Sequence, residues 1–333
     1  MASHEQSLIH SLVDEYDALT NGLAFIDRSH LGRLKFSGDD ALDLLNRLST
    51  NHLTNLEVGQ ALPTVLTSNK GRVVDVVLVL RQIDHLLVFT SPETRQAVAD
   101  YVDFYKFSED VTVDDITDET AMYAVSGPAT SRLTIIDSHG LGIHESVKVC
   151  HEGMEALIVR SDFLDLPGYD FIVDTQSQDS LRKFIQALGA IHVRSQAVET
   201  ARIIRGIPSY GHEFSQDYNP LEAGLRNFIS FSKGCYVGQE VVARLDTYKK
   251  VQRRLVSIQW LSDVPSTVGA ALTANGEQVG VLTSAARLPT NLSLNVGLGY
   301  VKMTHQSKGA VGISVGGEIL EGTIMEMPHK EQF

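Results

Sequence analysis

The sequence predicts an α+β protein made of two related lobes followed by a small all-β domain. Three observations predict it. At 333 residues the chain is longer than one core ordinarily supports, so several lobes are expected. A short strand, a polar turn and an amphipathic helix follow one another twice, in LLVFTSPETRQAVADYV (86–102) and DFIVDTQSQDSLRKFI (170–185). After Val251, short apolar stretches alternate with Gly, Pro, Ser and Asn turns and no helical period appears. The two regions read as 15–247 and 248–333.

The elements follow in chain order. Residues 39–48 predict a helix, because Ala41, Leu44, Leu45 and Leu48 fall on one face. Gly71 leads into an apolar, β-branched run at 73–80 that reads as a buried strand, with 86–89 as its neighbour. In the first repeat Ser91 is placed as a helix N-cap and Pro92 at the first helical position, with Val98, Tyr101, Val102 and Tyr105 as the apolar face. In the second, Asp179 or Ser180 is the expected cap, and Leu181, Phe184, Ile185 and Leu188 form the face. The recurrence fits either two related lobes or a common local pattern occurring twice. Stretches 255–258, 279–282, 298–303 and 312–315 are the expected strands of a barrel or sandwich.

Composition narrows the function classes. The net charge of −13 argues against broad nucleic-acid binding, which depends on Lys and Arg neutralising phosphates. No stretch approaches the roughly 20 apolar residues of a membrane helix. The opening MASHEQSLIHSLVDEYDAL lacks both a basic and a long apolar region, so a cytoplasmic protein is expected. One basic cluster stands out: Arg226, Lys233, Arg244, Lys249, Lys250, Arg253 and Arg254, against Glu240 and Asp246. It reads as a solvated surface or as an anion site. Cys150 and Cys235 make no disulfide framework, and two thiols do not supply the usual four-cysteine ligation of an iron–sulfur cluster. His139, His144 and His151 lie loosely near Cys150 and read as surface loop residues; no metal constellation is expected.

The most unusual segment is KGCYVGQE, residues 233–240. Gly234 and Gly238 permit tight turns or close approach of backbone to a ligand. Lys233 stands two positions from Cys235 and would favour its thiolate if the side chains converge. On the residues alone, an inert packing cysteine is the competing reading.

KGCYVGQE resembles the Lys-Gly-Cys-aromatic-x-Gly-Gln-Glu signature of YgfZ-type members of the folate-binding T-protein family. The likeness continues in order through Ser37-Gly38-Asp39-Asp40-Ala41, Leu45-Asn46, Ser49-Thr50-Asn51, Gly71-Arg72 with Asp75, and Ser126-Gly127-Pro128. It goes on through Arg202, Gly206-Ile207-Pro208, the NPLEAGL run at 219–225, and VQRRL at 251–255, covering about residues 20–333. The resemblance implies a three-lobed ring around a central tetrahydrofolate pocket, ending in a β-barrel. It makes Cys235 the leading site residue, tuned by Lys233, with Asp75 anchoring folate or assisting proton transfer. Arg202 and the basic cluster would meet the glutamate tail, and Gly234, Tyr236, Gln239, Glu240 and Glu222 are the further cofactor-binding candidates. Each has a structural alternative: an ion pair with Glu199 for Arg202, and a buried ion pair for Asp75.

Two departures separate subfamilies. T-proteins of glycine cleavage resemble Gly-Gly-Ile-x-Asp-Asp where this chain has Gly71-Arg72-Val73-Val74-Asp75-Val76, so one of the paired acids is missing. They also carry Thr-Gly-Glu-x-Gly-Tyr-Glu where this chain has DLPGYD at 165–170, which puts Leu166 in place of a pterin-reading acid, with Asp165 expected to point elsewhere. The resemblance therefore implies a YgfZ-type protein supporting assembly or repair of iron–sulfur proteins, and indirectly tRNA modification. The expected partners are folate and iron–sulfur client or assembly proteins, with no direct nucleic acid and no membrane. The alternatives are a tetrahydrofolate-dependent aminomethyltransferase or demethylase, and a scaffold with a vestigial pocket.

Overall fold

Two antiparallel-rich sheets are built from interleaved stretches of chain. The computed structural model describes residues 2–133, 140–262, 268–305, 309–315, 317–325 and 327; His139 lies outside them. The chain opens with helix α1 (Ala2–Asn21) and strand β1 (Ala24–Asp27). It then forms β2 (Gly32–Ser37), α2 (Ala41–Leu48), β3 (Ala61–Thr67), β4 (Val73–Arg81), β5 (Leu86–Thr90), α3 (Arg95–Tyr105) and β6 (Thr112–Asp115). These strands make a five-stranded sheet in the order β3-β4-β5-β2-β6. Ala41, Leu44, Leu45 and Leu48 of α2 are all buried against it, with Val98 and Val102 of α3. Each such leucine contributes about 1.5–3 kcal/mol.

The second sheet takes β1 back from the start of the chain. It continues with β7 (Thr120–Ser126), β8 (Ser146–His151), β9 (Met154–Arg160), β10 (Gly168–Asp174) and β11 (Ile191–His192). The order is β11-β1-β7-β10-β9-β8, with only β11 parallel to its neighbour. Helix α4 (Gln178–Ala187) covers one face through Leu181 and Ile185. Ala61, Leu80, Leu87 and Phe89 of the first sheet meet Met122, Val159 and Ile172 of the second in one apolar joint.

Both expected strand–turn–helix repeats are present; in the first, Ser91 holds the N-cap position and Pro92 the first helical position, as expected. A 3-10 turn, Pro92–Thr94 or Thr175–Ser177, precedes each helix. Ser91 does not cap with its side chain; its hydroxyl donates to Asp75 instead. In the second repeat the cap is Asp174, whose carboxylate accepts from Gln176 N, not Asp179 or Ser180.

Helix α5 (Ser195–Ile204) and helix α6 (Gln239–Thr247) follow, and the last domain begins at Arg253. Its strands are β12 (Arg253–Leu261), β13 (Ala271–Ala274), β14 (Glu277–Leu288), β15 (Asn291–Lys302), β16 (Ala310–Val315) and β17 (Glu318–Met325). They close into a barrel in the order β12-β15-β14-β13-β16-β17, which removes the exposed edges of an open sheet. Val256, Ile258, Trp260, Leu272, Leu282 and Ile313 fill it. No helix among the described residues is long and apolar enough to cross a membrane.

Candidate functional site

Between the two sheets and the segment 198–228 lies a cavity of two joined chambers, about 510 Å³ and 320 Å³. Small-ligand pockets span about 300–1,000 Å³. Both chambers share Arg28, Pro63, Val76, Phe163, Asp170 and Phe214. The larger one adds Ser91, Glu93, Arg202, Tyr210 and His212; the smaller adds His144, Ser161, Asp162, Asp165 and Arg205. Among the described residues, none of the barrel is in the lining, so the described part of the third lobe stands behind the cavity wall.

Strand alternation sets the chemistry of the wall at β4. Successive side chains point to opposite faces, so Val76 and Leu78 face the cavity while Asp75 is turned toward α3. Asp75 is fully buried. Its carboxylate accepts from Ser91 N (2.9 Å), Ser91 Oγ (2.8 Å), Thr94 Oγ1 (2.5 Å) and Val76 N (2.8 Å). Among the described residues no cation pairs with it, so in place of the alternative of an ion pair stands a set of neutral donors that tie β4 to the start of α3. Burial pushes its pKa up, while these hydrogen bonds pull the other way. Val76, standing where the second acid of the family pair would be, presents an apolar surface to the cavity.

The polar centre of the cavity was not singled out from the sequence. Arg28 Nη1 donates to both oxygens of Asp170, at 2.7 and 2.9 Å, and its guanidinium lies 4.1 Å over the Phe163 ring. Beside it the backbone takes two consecutive left-handed residues, Leu164 (φ 61°) and Asp165 (φ 52°). Non-glycine residues adopt that conformation at a cost, and residues so strained cluster at functional sites. This turn sends Leu166 into the core with Ala18, Leu19 and Ile26, and brings Asp165 into the cavity wall. The expectation that Asp165 points elsewhere assumed an extended segment; the segment is instead a 3-10 turn, and Asp165 borders the smaller chamber.

Of the nine residues put forward from the sequence as catalytic or cofactor-binding, Arg202 is the one that lines the cavity among the described residues. It forms the expected pair with Glu199 and also donates to Glu213 (2.8 Å), Ser284 Oγ (2.9 Å) and Ile207 O (2.8 Å). Its donors are thus largely committed to joining α5 to the barrel. Lys233 is buried, and its ammonium donates to the carbonyls of Asn46 (2.6 Å), Ser49 (2.7 Å) and Asn51 (2.6 Å) at the end of α2. Burial pulls its pKa down to about 8. Held by these carbonyls, it anchors the motif loop to the first lobe; the proposed tuning of Cys235 has no support from this arrangement. Cys235 is exposed, and so is Cys150.

The rest of the motif is similarly structural. Gly238 (φ 83°) packs on the β3–β4 turn, where a Cβ would meet Ser68 O at 2.4 Å. Gly234 faces open space, so no close backbone approach requires it. Tyr236 is buried beneath the Lys233 ammonium, and Gln239 and Glu240 begin α6, with Glu240 exposed. Glu222 is buried near Arg253 (3.4 Å) and Arg72 (3.9 Å), at the junction with the barrel. The basic cluster does not converge on the cavity: Arg226 pairs with Asp246, and Arg253 lies over Tyr218. The cavity arginines are Arg28, Arg202 and Arg205. Among the described residues, no group of three or more His, Cys, Asp or Glu side chains is placed to hold a metal.

His144 and Ser161 were missed. The sequence placed His144 on a surface loop, yet both ring nitrogens are buried, as is Ser161 Oγ, and among the described residues none has a hydrogen-bond partner. His144 also sits at φ 64°. No periodicity marks such residues, because the loop and the strand end that carry them meet only in the folded chain.

The chain matches the GCVT N-terminal domain over residues 3–233 and the glycine cleavage T-protein C-terminal barrel domain over residues 253–329. It is 34% identical over 318 residues to an Arabidopsis thaliana protein provisionally named a chloroplastic transferase, covering 94% of this chain and 72% of that one. It is 30% identical over 337 residues to an aminomethyltransferase of Geobacillus kaustophilus, covering 96% and 90%. The crystal structure of the glycine cleavage system aminomethyltransferase T from Bartonella henselae shares the fold, with a TM-score of 0.86 at 18% identity, over 95% of this chain and 89% of that one. Two matched domains spanning nearly the whole chain place this protein in the glycine cleavage T-protein family.

Proposed function

We propose that the protein binds tetrahydrofolate in the two-chambered cavity without transferring an aminomethyl group, and acts as a YgfZ-type supporter of iron–sulfur proteins. The observation that carries this reading is Val76. A transferase of this family needs a carboxylate beside the folate nitrogens, and an apolar side chain occupies that stretch of wall while Asp75 is consumed inside the first lobe. Apolar surfaces from Pro63, Val76, Leu78, Phe163 and Phe214 suit a flat heterocycle. Arg28, Arg202 and Arg205 supply the cationic side that a glutamate tail calls for.

The iron–sulfur role rests on Cys235 and the motif around it. The thiol is exposed on a loop fixed to the first lobe by Lys233 and Gly238, outside the cavity, so it faces a partner and not the folate. In a cell lacking this protein and defective in iron–sulfur enzymes, Cys235→Ala is expected to fold normally and fail to restore activity. Full restoration by that variant removes the thiol from the account.

One observation favours a transferase: Asp165, in the 3-10 turn between β9 and β10, is an acidic residue in the wall of the smaller chamber. In that reading Cys235 is dispensable and one-carbon transfer onto tetrahydrofolate is measurable.

A further inference from the structure

The basic cluster that the cavity leaves unused gathers on one outer face. Helix α6 ends in a turn closed by two backbone bonds, Lys249 N to Asp246 O (3.2 Å) and Lys250 N to Leu245 O (3.0 Å). Such a turn puts the residue after the cap in the left-handed region, where glycine is the usual choice. Here that residue is Lys249, at φ 49°. A lysine is held where its backbone is costly, and Lys249 and Lys250 stand exposed side by side. Arg226 pairs with Asp246 of the same helix and lays its guanidinium 4.4 Å over the Phe231 ring. These contacts bring the start of the motif loop against the end of α6. From there the loop returns along the helix to Gly238 at its N-cap, carrying the exposed Cys235. Four residues of chain reach at most about 14 Å, so Cys235 lies within about that distance of Phe231.

The charge of this face is opposite to that of the molecule. Exposed Arg226, Arg244, Lys249 and Lys250 stand against exposed Glu240 and half-buried Asp246, in a chain of net charge −13. Among the described residues, no carboxylate pairs with Arg244, Lys249 or Lys250. Two aromatic rings are interleaved with the cations: Phe231 is 44% exposed, and Tyr248, under the Lys250 ammonium, is 65% exposed. Aromatic and arginine side chains are enriched where proteins meet. Opposite charge then selects the partner. Nucleic acid is the less suited anion, because its binding runs on many phosphate contacts and the rest of this acidic chain repels it. A few carboxylates beside an apolar side chain match four cations and two rings. We propose that the outer face of α6 and the motif loop docks an acidic segment of a partner protein, which thereby lies alongside Cys235. This rests on the reading of the motif loop as a partner-facing surface. Full restoration by Cys235→Ala in the cell ends that reading, whereas the rates below test the charge of the face by itself.

The experiment uses two short peptides, one glutamate-rich and one lysine-rich, each carrying a cysteine activated as a pyridyl disulfide. The Cys235 thiolate attacks the peptide sulfur, the S–S bond to the pyridyl group breaks, and pyridine-2-thione leaves and is followed by its absorbance. The full chain carries Cys150→Ser, so that one thiol reacts. The acidic-to-basic rate ratio cancels the thiol's own reactivity and reads the charge around it. At low salt the ratio is expected to be roughly 10. At about 1 M salt, where the screening length is about 3 Å, it should fall to within about twofold of one. The full chain with Cys235→Ser gives the internal reference: it reads Cys150, which stands opposite Glu155 in the β8–β9 pair, and its ratio should lie below one. Arg244→Glu combined with Lys250→Glu should bring the Cys235 ratio to one or below. Lys249→Gly should lower it by about twofold while the melting temperature holds or rises, because glycine relieves the left-handed backbone.

A ratio at or below one for the unaltered face at low salt overturns the inference and leaves the partner-facing thiol standing. A lower melting temperature in Lys249→Gly with an unchanged ratio assigns the lysine to the helix end, where cations are favoured in any case, and overturns it too. Slowing of the acidic peptide by a single-stranded oligonucleotide at lower concentration than by a hexaglutamate peptide gives the face to nucleic acid, against the inference.

Discussion

Asp75 shows how a residue type can point to chemistry while its neighbours assign it to structure. A lone acid in the run VVDVVLVL invites a catalytic reading, and strand alternation decides otherwise. Its carboxylate collects three donors from Ser91 and Thr94, fixing the step from β5 into α3. Removing it takes the carboxylate from the Ser91 N–H and hydroxyl, while Thr94 keeps the Ser91 carbonyl as an acceptor. Asp75→Ala is expected to lower stability by about 2–3 kcal/mol in urea unfolding. Tetrahydrofolate affinity at temperatures where the variant is folded should change by less than about threefold. A stable variant that no longer binds folate would restore Asp75 to the site. Lys233 teaches the same lesson, since three carbonyls surround its ammonium where proximity in sequence suggested a partnership with Cys235.

Elements were more legible than sites. The four apolar positions of α2, the faces of α3 and α4 and the strands of the barrel all follow from local periodicity, which depends only on neighbours in sequence. The second cap shifted to Asp174 because a 3-10 turn precedes the helix, a feature that composition does not announce. What joins elements was invisible. Glu213, fully buried, accepts from Arg202 of α5 (2.8 Å), from Thr283 (2.7 Å) and Ser284 (2.6 Å) of β14, and its carbonyl accepts from Tyr300 of β15 (2.5 Å). Partners about 70–90 residues apart in sequence leave no local pattern. Glu213→Ala leaves Arg202 with Glu199 as its one anionic partner among the described residues and takes the carboxylate from the Ser284 hydroxyl, while Thr283 keeps the Leu298 carbonyl. It should cost about 3 kcal/mol, with Glu213→Gln intermediate. Unfolding within about 0.5 kcal/mol of the unaltered protein would show that the barrel is held by its apolar contacts alone.

At the scale of the molecule, the interleaving of β1 and β11 into the second sheet is what makes one cavity from distant stretches of chain. Arg28 comes from the turn after β1, Asp170 from β10, Val76 from β4 and His144 from the loop before β8. The resemblance in sequence was enough to expect a folate pocket at the centre of an α+β protein with a terminal barrel. It was not enough to say which side chains face it, because the KGCYVGQE motif that carries the resemblance most strongly packs on the outside of the first lobe. Its specificity lies in Lys233 and Gly238, which fix the loop, and in the exposed thiol between them.

The central claim is folate binding without aminomethyl transfer. It is tested most directly by following ammonia release from an aminomethylated lipoyl carrier in the presence of tetrahydrofolate, with binding of tetrahydrofolate measured by calorimetry on the same purified sample. The account predicts binding with no folate-dependent release. Sustained folate-dependent release would contradict it, and would make Asp165, which lines the same chamber as Val76, the first acidic residue to replace.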